Sequence, residues 1–567
     1  MSNFAGIHES MHWMKDYSQG EKTIAGFIIA SIFLYLLSWR IPLMEIDAIQ
    51  YANISREMLQ HHQFLQIYDQ GKDYLDKPPM LFWLSTLSMY IFGISAVAYR
   101  LPSFLFAILS IYSTFRLAHL YYSRRIALLS ALILSSSVAM FLINHDVRTD
   151  TMLMGWVSFS IWQMGEWYKS NQWKNCILAS IAIAGGLLTK GPIALCVPVF
   201  AFGSHFILKR YFKAFFRPQY LLMIIIISIL LIPMCIGLYR QFDLHPEKIM
   251  YNKTGTSGLR FFFWTQSFGR ITGESSWHEN DHFFFLFQNM LWGLLPWILF
   301  FVTGLFQDIR YLIRQKFRLN ESEEWISTGG FFITYCVLGI SHYQLPHYIY
   351  VVFPLAAVIA AKSLDRFLFS EPLPHFQKPV SVFHITVFSL MLLAMLWLIW
   401  VPFPGETRWF LMIALPSIIL LLFVTIKKNL PLPSLLVFGT GTFLLIHLFL
   451  DLGFYPALLE YQPAIPVSRF IKSNSINPDS VFLYKIKHER SLDFYSDHFY
   501  ETTDLPNDLP GHAFVLTSLE GMDSINRNLF VEKFQCERFS VSGLTFKFIL
   551  PSSRYKETKS YFLLQKK

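Results

Sequence analysis

A few charged side chains stand at the edges of long apolar runs, and their types and spacing suit the chemistry of phosphate and hydroxyl groups. Asp47 follows an apolar segment at about residues 22–43 and heads Asp47-Ala48-Ile49-Gln50-Tyr51-Ala52, with Arg56-Glu57-Met58 close behind. A carboxylate so placed can take the proton from a hydroxyl as a new bond forms, or stabilise an oxocarbenium-like centre as carboxylates do in glycoside hydrolysis. Some thirty residues on, Tyr74-Leu75-Asp76-Lys77-Pro78-Pro79 sets a lysine before a double proline that stiffens the backbone and ends any helix preceding it. Lys77 would act as a point charge on a phosphate, a contact whose loss costs ~1.5–3 kcal/mol; Asp76 would pair in its neighbourhood or bind a cation. The plainer alternatives are an interfacial carboxylate and a lysine snorkelling beside an apolar helix.

Three later segments have similar character. His145-Asp146-Val147-Arg148-Thr149-Asp150 lies between two apolar runs, where acids are costly and tend to be functional. Asp146 and Asp150 both remain open for a substrate-facing role, with Asp150 preferred, and both can instead cap helices. Phe261-Phe262-Phe263-Trp264-Thr265-Gln266-Ser267-Phe268-Gly269-Arg270 ends an aromatic stretch in an arginine. Arg270 could clamp a phosphate bidentately, or the aromatics could form an interfacial belt. Trp277-His278 and Asp281-His282 are candidate sugar contacts, without metal-ligand spacing. In Ser341-His342-Tyr343-Gln344-Leu345-Pro346-His347-Tyr348, His342 or His347 could supply a charge that depends on pH, or the histidines and tyrosines could serve as headgroup-level anchors.

The elements that must position these residues are membrane helices. The 567 residues are 53% hydrophobic and 17% aromatic but only 15% charged, with a mean hydropathy of +0.39; ordinary soluble domains carry roughly 25% charge. Runs of ~17–25 apolar residues cross a bilayer. About thirteen are expected, near 23–43, 98–118, 126–144, 151–168, 175–190, 192–208, 219–239, 285–306, 326–341, 348–364, 381–401, 409–426 and 433–452. The polar start and long first run read as a retained anchor.

With the N-terminus inside, Arg124-Arg125, Lys169/Lys174, Lys209 to Arg217, Arg310 to Arg318, Lys362/Arg366 and Lys427-Lys428 all fall on the cytoplasmic side, as the positive-inside rule requires. That result needs Met80–Gly93, too short for a span, to be an interfacial or re-entrant helix on the outer face. The net charge of +9 is thereby explained by loops, and without a recognition module it implies no nucleic-acid partner. Five scattered cysteines give no disulfide framework. The expected fold is an α-helical polytopic membrane protein, residues 1–452, with a soluble C-terminal α/β domain, residues 453–567, of short strands alternating with helices such as Glu489–Ser496.

Asp47, Tyr51 and Lys77-Pro78-Pro79 together resemble the first non-cytoplasmic loop of membrane glycosyltransferases that use polyprenyl-phosphate sugars, the family of protein O-mannosyltransferases and lipid A aminoarabinose transferases. The resemblance implies Asp47 as the catalytic carboxylate, joined by Asp150. Tyr51, Lys77, Asp146, Arg270, His342, Tyr343 and His347 would bind substrate, Lys77 on the donor phosphate. Against the family's Asp-Glu-Ala-Arg-Tyr-Ala pattern, Ala48 and Gln50 replace Glu and Arg, and Gln266-Ser267 stand where Glu-His often precedes the later arginine. The implied protein is an inverting glycosyltransferase of the bacterial inner membrane. It would pass one sugar from undecaprenyl phosphate to lipid A, another envelope glycolipid, a glycan or a protein on the outer face, with no cofactor and no catalytic metal. The rival expectation is a transporter or flippase of lipid-linked or anionic solutes, for which repeated halves would be expected and none is evident.

Overall fold

Long apolar runs can satisfy their backbone away from water by forming helices, and the computed structural model of the chain is built from them. It describes every residue except Met1, Glu45 and the segments 275–281, 370–373 and 427–431. Trp277, His278, Asp281, Lys427 and Lys428 therefore lie outside the described residues.

The first helices in order are α1 (Ser2–Leu37), α2 (Asp47–His61), α3 (Met80–Phe92), α4 (Ala96–Tyr121), α5 (Arg124–Ser135), α6 (Val138–His145), α7 (Thr149–Ser170), α8 (Trp173–Lys190), α9 (Ile193–Leu208) and α10 (Gln219–Leu238). Each stretch expected to span is helical over most of its length. Among the described residues seven helices are long and apolar enough to cross a bilayer, and α5 with α6, bent by 49°, makes an eighth if counted as one. The chain is an integral membrane protein. α9 and the helix Ile326–Gly339, expected as spans, are shorter apolar helices, as is α3.

The bend between α5 and α6 has a local cause. Ser136 and Ser137 donate their hydroxyls back to the carbonyls of Leu132 and Leu134, and the Ser137 hydroxyl then accepts from the Met140 amide to start the next helix. Such side-chain bonds compete with the helical ladder and bend it. α4 packs on α7, and α7 on α8. A Cβ on Gly155 would lie 2.7 Å from the Phe106 carbonyl oxygen, so only glycine permits that approach of α7 to α4, in the manner of small residues at membrane helix contacts.

Contacts between loops sort into two sets. Arg125 pairs with Asp365 at 2.5 Å, Lys362 with Asp308 at 2.6 Å, Tyr122 donates to Glu324 at 2.6 Å and Lys209 to the Glu321 carbonyl at 2.7 Å. These partners all come from connections or span ends expected on one side. The segments around Asp47, Lys77, Arg148, Lys190, Arg270 and His347 contact one another at the other side.

Two hairpins belong to that second set, β1 (Tyr68–Asp69) with β2 (Lys72–Asp73), and β3 (Ile249–Met250) with β4 (Lys253–Thr254). The tail forms one four-stranded sheet of order β5-β6-β8-β7, from β5 (Val481–Tyr484), β6 (Phe514–Ser518), β7 (Phe530–Arg538) and β8 (Lys559–Lys566). β5 and β6 are parallel, and the other pairs antiparallel. The helix expected at Glu489–Ser496 is present as Arg490–Ser496.

Candidate active site

α2 opens at Asp47, whose position in the first turn places its carboxylate where the helix dipole favours negative charge. Arg148 donates from Nη1 to Asp47 Oδ2 and from Nε to Asp146 Oδ2, both at 2.6 Å. One guanidinium thus bridges two carboxylates that lie a hundred residues apart in sequence. Burial disfavours the Asp146 charge, and although Arg148 pulls the other way its pKa is raised, with Asp47 and Asp150 adding to the effect. Arg148 is buried too, but Asp146 and Asp47 more than offset that and keep it firmly protonated. Asp146 Oδ1 is buried with no protein partner among the described residues.

α6 ends at His145, the chain runs extended at Arg148, and α7 starts at Thr149. Asp150 is therefore turned away from Arg148's ion pairs. It accepts a close hydrogen bond from Lys190 Nζ, and His347 Nε2 stands 3.7 Å from its other oxygen. Lys190 is the last residue of α8, which ends because Gly191 adopts φ +92°, a backbone state glycine supplies without strain. Its ammonium lies 4.2 Å from the centre of the Tyr348 ring.

Lys77 and Asp76 pair at 2.8 Å, just before the two prolines that lead into α3. Gln266 donates to the Asp76 carbonyl and, at 3.1 Å, to its Oδ1. Burial works against the Asp76 carboxylate, yet Lys77, with Arg270 and Gln266, holds its pKa below the ordinary range. Burial likewise opposes the Lys77 charge, and Tyr51 and Asp76 overcome it, so its pKa is raised. Tyr51 is buried between these groups, edge-on to Phe82 at 5.8 Å; burial raises its phenol, which feels Lys77, Asp47, Asp76 and Arg148.

Arg270 donates from Nη1 to the Tyr348 hydroxyl at 2.6 Å and lies 5.1 Å from the Tyr343 ring centre. Among the described residues it has no carboxylate partner within ion-pair distance, and its Nε is buried without an acceptor. His342 is exposed and reaches only the Arg270 backbone carbonyl, at 3.2 Å.

Lys77, Lys190 and Arg270 line one cavity, partly open to the outside. Its other wall is apolar, with Leu153, Ile193, Val337 and Leu338. Such a cavity can hold an anionic head against cations while an apolar chain lies along the helices. Among the described residues no three His, Cys, Asp or Glu side chains converge as a metal-ligand set.

Arg148 and Lys190 are not among the site residues expected from the sequence, although it carries a signal for each. Arg148 separates two acids, and Lys190-Gly191-Pro192 sets a lysine before chain-breaking residues as Lys77-Pro78-Pro79 does. Arg56 and Glu57, counted in the first motif, do other work. Glu57 accepts the amides of Gln70 and Gly71 at 2.8 Å each, and Arg56 reaches the tail.

Residues 76–236 match the dolichyl-phosphate-mannose-protein mannosyltransferase family. The chain is 27% identical over 358 residues to the undecaprenyl phosphate-alpha-4-amino-4-deoxy-L-arabinose arabinosyl transferase of Edwardsiella ictaluri (strain 93-146), covering 61% of this chain and 60% of that protein. It is also 27% identical over 349 residues to the protein of the same name from Wigglesworthia glossinidia brevipalpis, covering 60% and 58%. These matches span less than two thirds of the relatives' length. The fold is that of ArnT from Cupriavidus metallidurans, solved bound to undecaprenyl phosphate, with a TM-score of 0.71, 17% identity, and coverage of 95% of this chain and 98% of that one. The family match, which starts at residue 76, the relatives and the fold all point to the same kind of protein as the resemblance drawn from the sequence.

Proposed function

We propose that the protein is a membrane glycosyltransferase that moves a sugar from a polyprenyl-phosphate donor, undecaprenyl phosphate in a bacterium, to lipid A or another envelope glycolipid, glycan or protein. The observation that carries this reading is the single cavity in which Lys77, Lys190 and Arg270 face an apolar wall. A polyprenyl phosphate is an anion on an apolar chain and matches both halves. As the sugar leaves, the phosphate passes from a singly charged diester toward a monoester of about −1.5 to −2. Fixed cations therefore bind the departing group more strongly than the donor, which is the differential binding catalysis needs. Lys77 and Lys190 are balanced by Asp76 and Asp150, and Arg270, with no carboxylate partner among the described residues, supplies the remaining charge.

In the proposed reaction the acceptor oxygen attacks the anomeric carbon from the side opposite the phosphate. The carbon–oxygen bond to the phosphate breaks, its electron pair stays on the phosphate oxygen, and the acceptor's proton passes to Asp47. Arg148 occupies Asp47 Oδ2, leaving Oδ1 for that proton. A single displacement of this kind inverts the anomeric centre. Asp146, sharing Arg148 with Asp47, takes the substrate-side role; Asp150 positions Lys190, with His347 beside it. Tyr343 and Tyr348 hold the Arg270 guanidinium, Tyr51 packs between the two charged groups, and His342 sits at the rim. The site and the tail from residue 453 lie outside the cytoplasm, the whole in the bacterial inner membrane.

The test is transfer by the purified protein from undecaprenyl phosphate-α-4-amino-4-deoxy-L-arabinose, and from other undecaprenyl-phosphate sugars, to lipid A and extracted envelope glycans, with anomeric configuration read by NMR. Asp47→Asn keeps the side chain's shape and removes its basicity, and is expected to fold, insert and lose nearly all transfer. Wild-type turnover by that variant removes Asp47 from the base's role, and a retained configuration removes the single displacement.

A further inference from the structure

α2 carries Asp47 at its head; its apolar face packs on α3, and its polar stripe is held by the far end of the chain. Gln50, Asn53, Arg56 and Gln60 recur at three- to four-residue spacing, so they form one stripe along the helix. That stripe faces the tail helix Arg490–Ser496 and its surroundings. Asn53 donates to the Arg490 carbonyl at 2.8 Å, Arg56 donates to the Asp493 carbonyl, and Arg56 and Gln60 reach Asp497 at 3.4 and 3.3 Å. Just before α2, the Leu43 amide donates to the Tyr495 hydroxyl.

One link bears directly on the first turn. Asp69, in the β1–β2 hairpin, accepts on a single oxygen, Oδ2, from Gln50 Nε2 and from Arg490 Nη2, both at 2.7 Å. Asp69 is only 11% exposed, so without Arg490 its charge would be left nearly buried with an amide alone. The hairpin is itself anchored to α2, since Glu57 receives both amides of its Gln70-Gly71 turn. Gln50 stands one helical turn after Asp47, about 4.5 Å along the axis. Rotation of α2 at Gln50 would therefore turn the Asp47 carboxylate off Arg148.

We infer that Arg490 is a positioning residue for Asp47, acting through Asp69 and Gln50, so that the tail is a working part of the transfer site. This rests on the reading of Asp47 as the base. The full-length protein in nanodiscs is compared with Arg490→Ala, Arg490→Lys and the double variant Arg490→Ala/Gln50→Arg, whose new guanidinium reaches the same Asp69 oxygen from α2.

Arg490→Ala is expected to lower kcat by about tenfold or more, within the range that a misplacement of ~1 Å costs, while the donor KM changes less than about twofold. Amide hydrogen exchange in residues 48–51 should rise in the same variant. Arg490→Lys and the double variant should recover most of both properties, which general destabilisation of the tail would not allow. Unchanged kcat in Arg490→Ala, an equal rise in donor KM, or no recovery in the double variant overturns the inference. If the wild type transfers no sugar, the proposed function fails separately and hydrogen exchange alone decides: unchanged protection of residues 48–51 in Arg490→Ala refutes the link, and loss restored by Gln50→Arg upholds it.

Discussion

Replacing Arg270 by lysine separates charge from geometry at the proposed phosphate site. The lysine keeps a positive charge in the cavity but loses the planar fork. It also loses the Nη1 bond to the Tyr348 hydroxyl at 2.6 Å, the guanidinium stacked near Tyr343, and the unused Nε donor aimed into buried space. If Nε and one terminal nitrogen grip the phosphate together, the lysine forfeits one charge-assisted hydrogen bond, worth ~1.5–3 kcal/mol. That corresponds to roughly a tenfold to hundredfold loss in kcat/KM for the donor. Arg270→Ala should lose more, because it also removes the cation that has no carboxylate partner among the described residues. Since phosphate charge grows as the sugar leaves, kcat should fall with the rise in donor KM. Initial rates over a grid of donor and acceptor concentrations, with direct binding of undecaprenyl phosphate, make the measurement. Donor KM and kcat/KM unchanged in both variants while acceptor KM rises would put Arg270 on the acceptor and refute the assignment.

Burial raises the Asp146 carboxyl despite Arg148, so on acidification it takes up a proton above the ordinary aspartate value of about 3.9. Arg148 is then left to Asp47 alone, and transfer should fall on the acid side. Asp146→Asn should show this reduced rate at every pH with that acid limb gone, and a wild-type pH profile in the variant would contradict the coupling. For topology, single cysteines replacing Gln63, Lys316 or Ser496 in a background without native thiols should label at Gln63 and Ser496 with an impermeant reagent in intact cells, and at Lys316 only after permeabilisation. Opposite behaviour of Gln63 and Ser496 would divide the first loop from the tail and break the proposed site.

The helical architecture was legible because apolar run length is a strong signal, and the loop charges supplied a second, independent one. Arg125 with Asp365 and Lys362 with Asp308 meet on one side, as the charge pattern requires. α3 was legible as a short helix for the same reason: Pro78-Pro79 sets its start and Gly93 its end. The tail was less so. β5 and β6 coincide with the apolar runs at Val481–Tyr484 and Ala513–Leu516, whereas β7 interleaves Glu532, Lys533, Glu537 and Arg538 with its apolar residues. Its charges stand in adjacent pairs and its register shifts between Glu532 and Phe534, so the alternation of a strand with one solvated face is broken and the segment resembles a charged loop. The apolar stretch 544–550 contains the short helix Phe546–Ile549.

Within the site, composition identified the right segments but left open which acid meets which cation. Asp146, Arg148 and Asp150 fall within five residues, and any pairing among them looks equally available on paper. The backbone decides. Because α6 stops at His145 and Arg148 is extended before α7 begins, Asp146 stays in the connection beside Arg148 and Asp47, while Asp150 enters the first turn of α7 facing Lys190 on α8. The two acids are thus sent to different cations by a turn three residues long. The same logic explains why Gln50 can stand where the resembling pattern has arginine. Its side chain ends on Asp69, and Asp69 already holds a guanidinium from Arg490, more than four hundred residues away. A local motif therefore departs from its pattern at a position where the charge is supplied by the tail, and only the folded chain brings the two together.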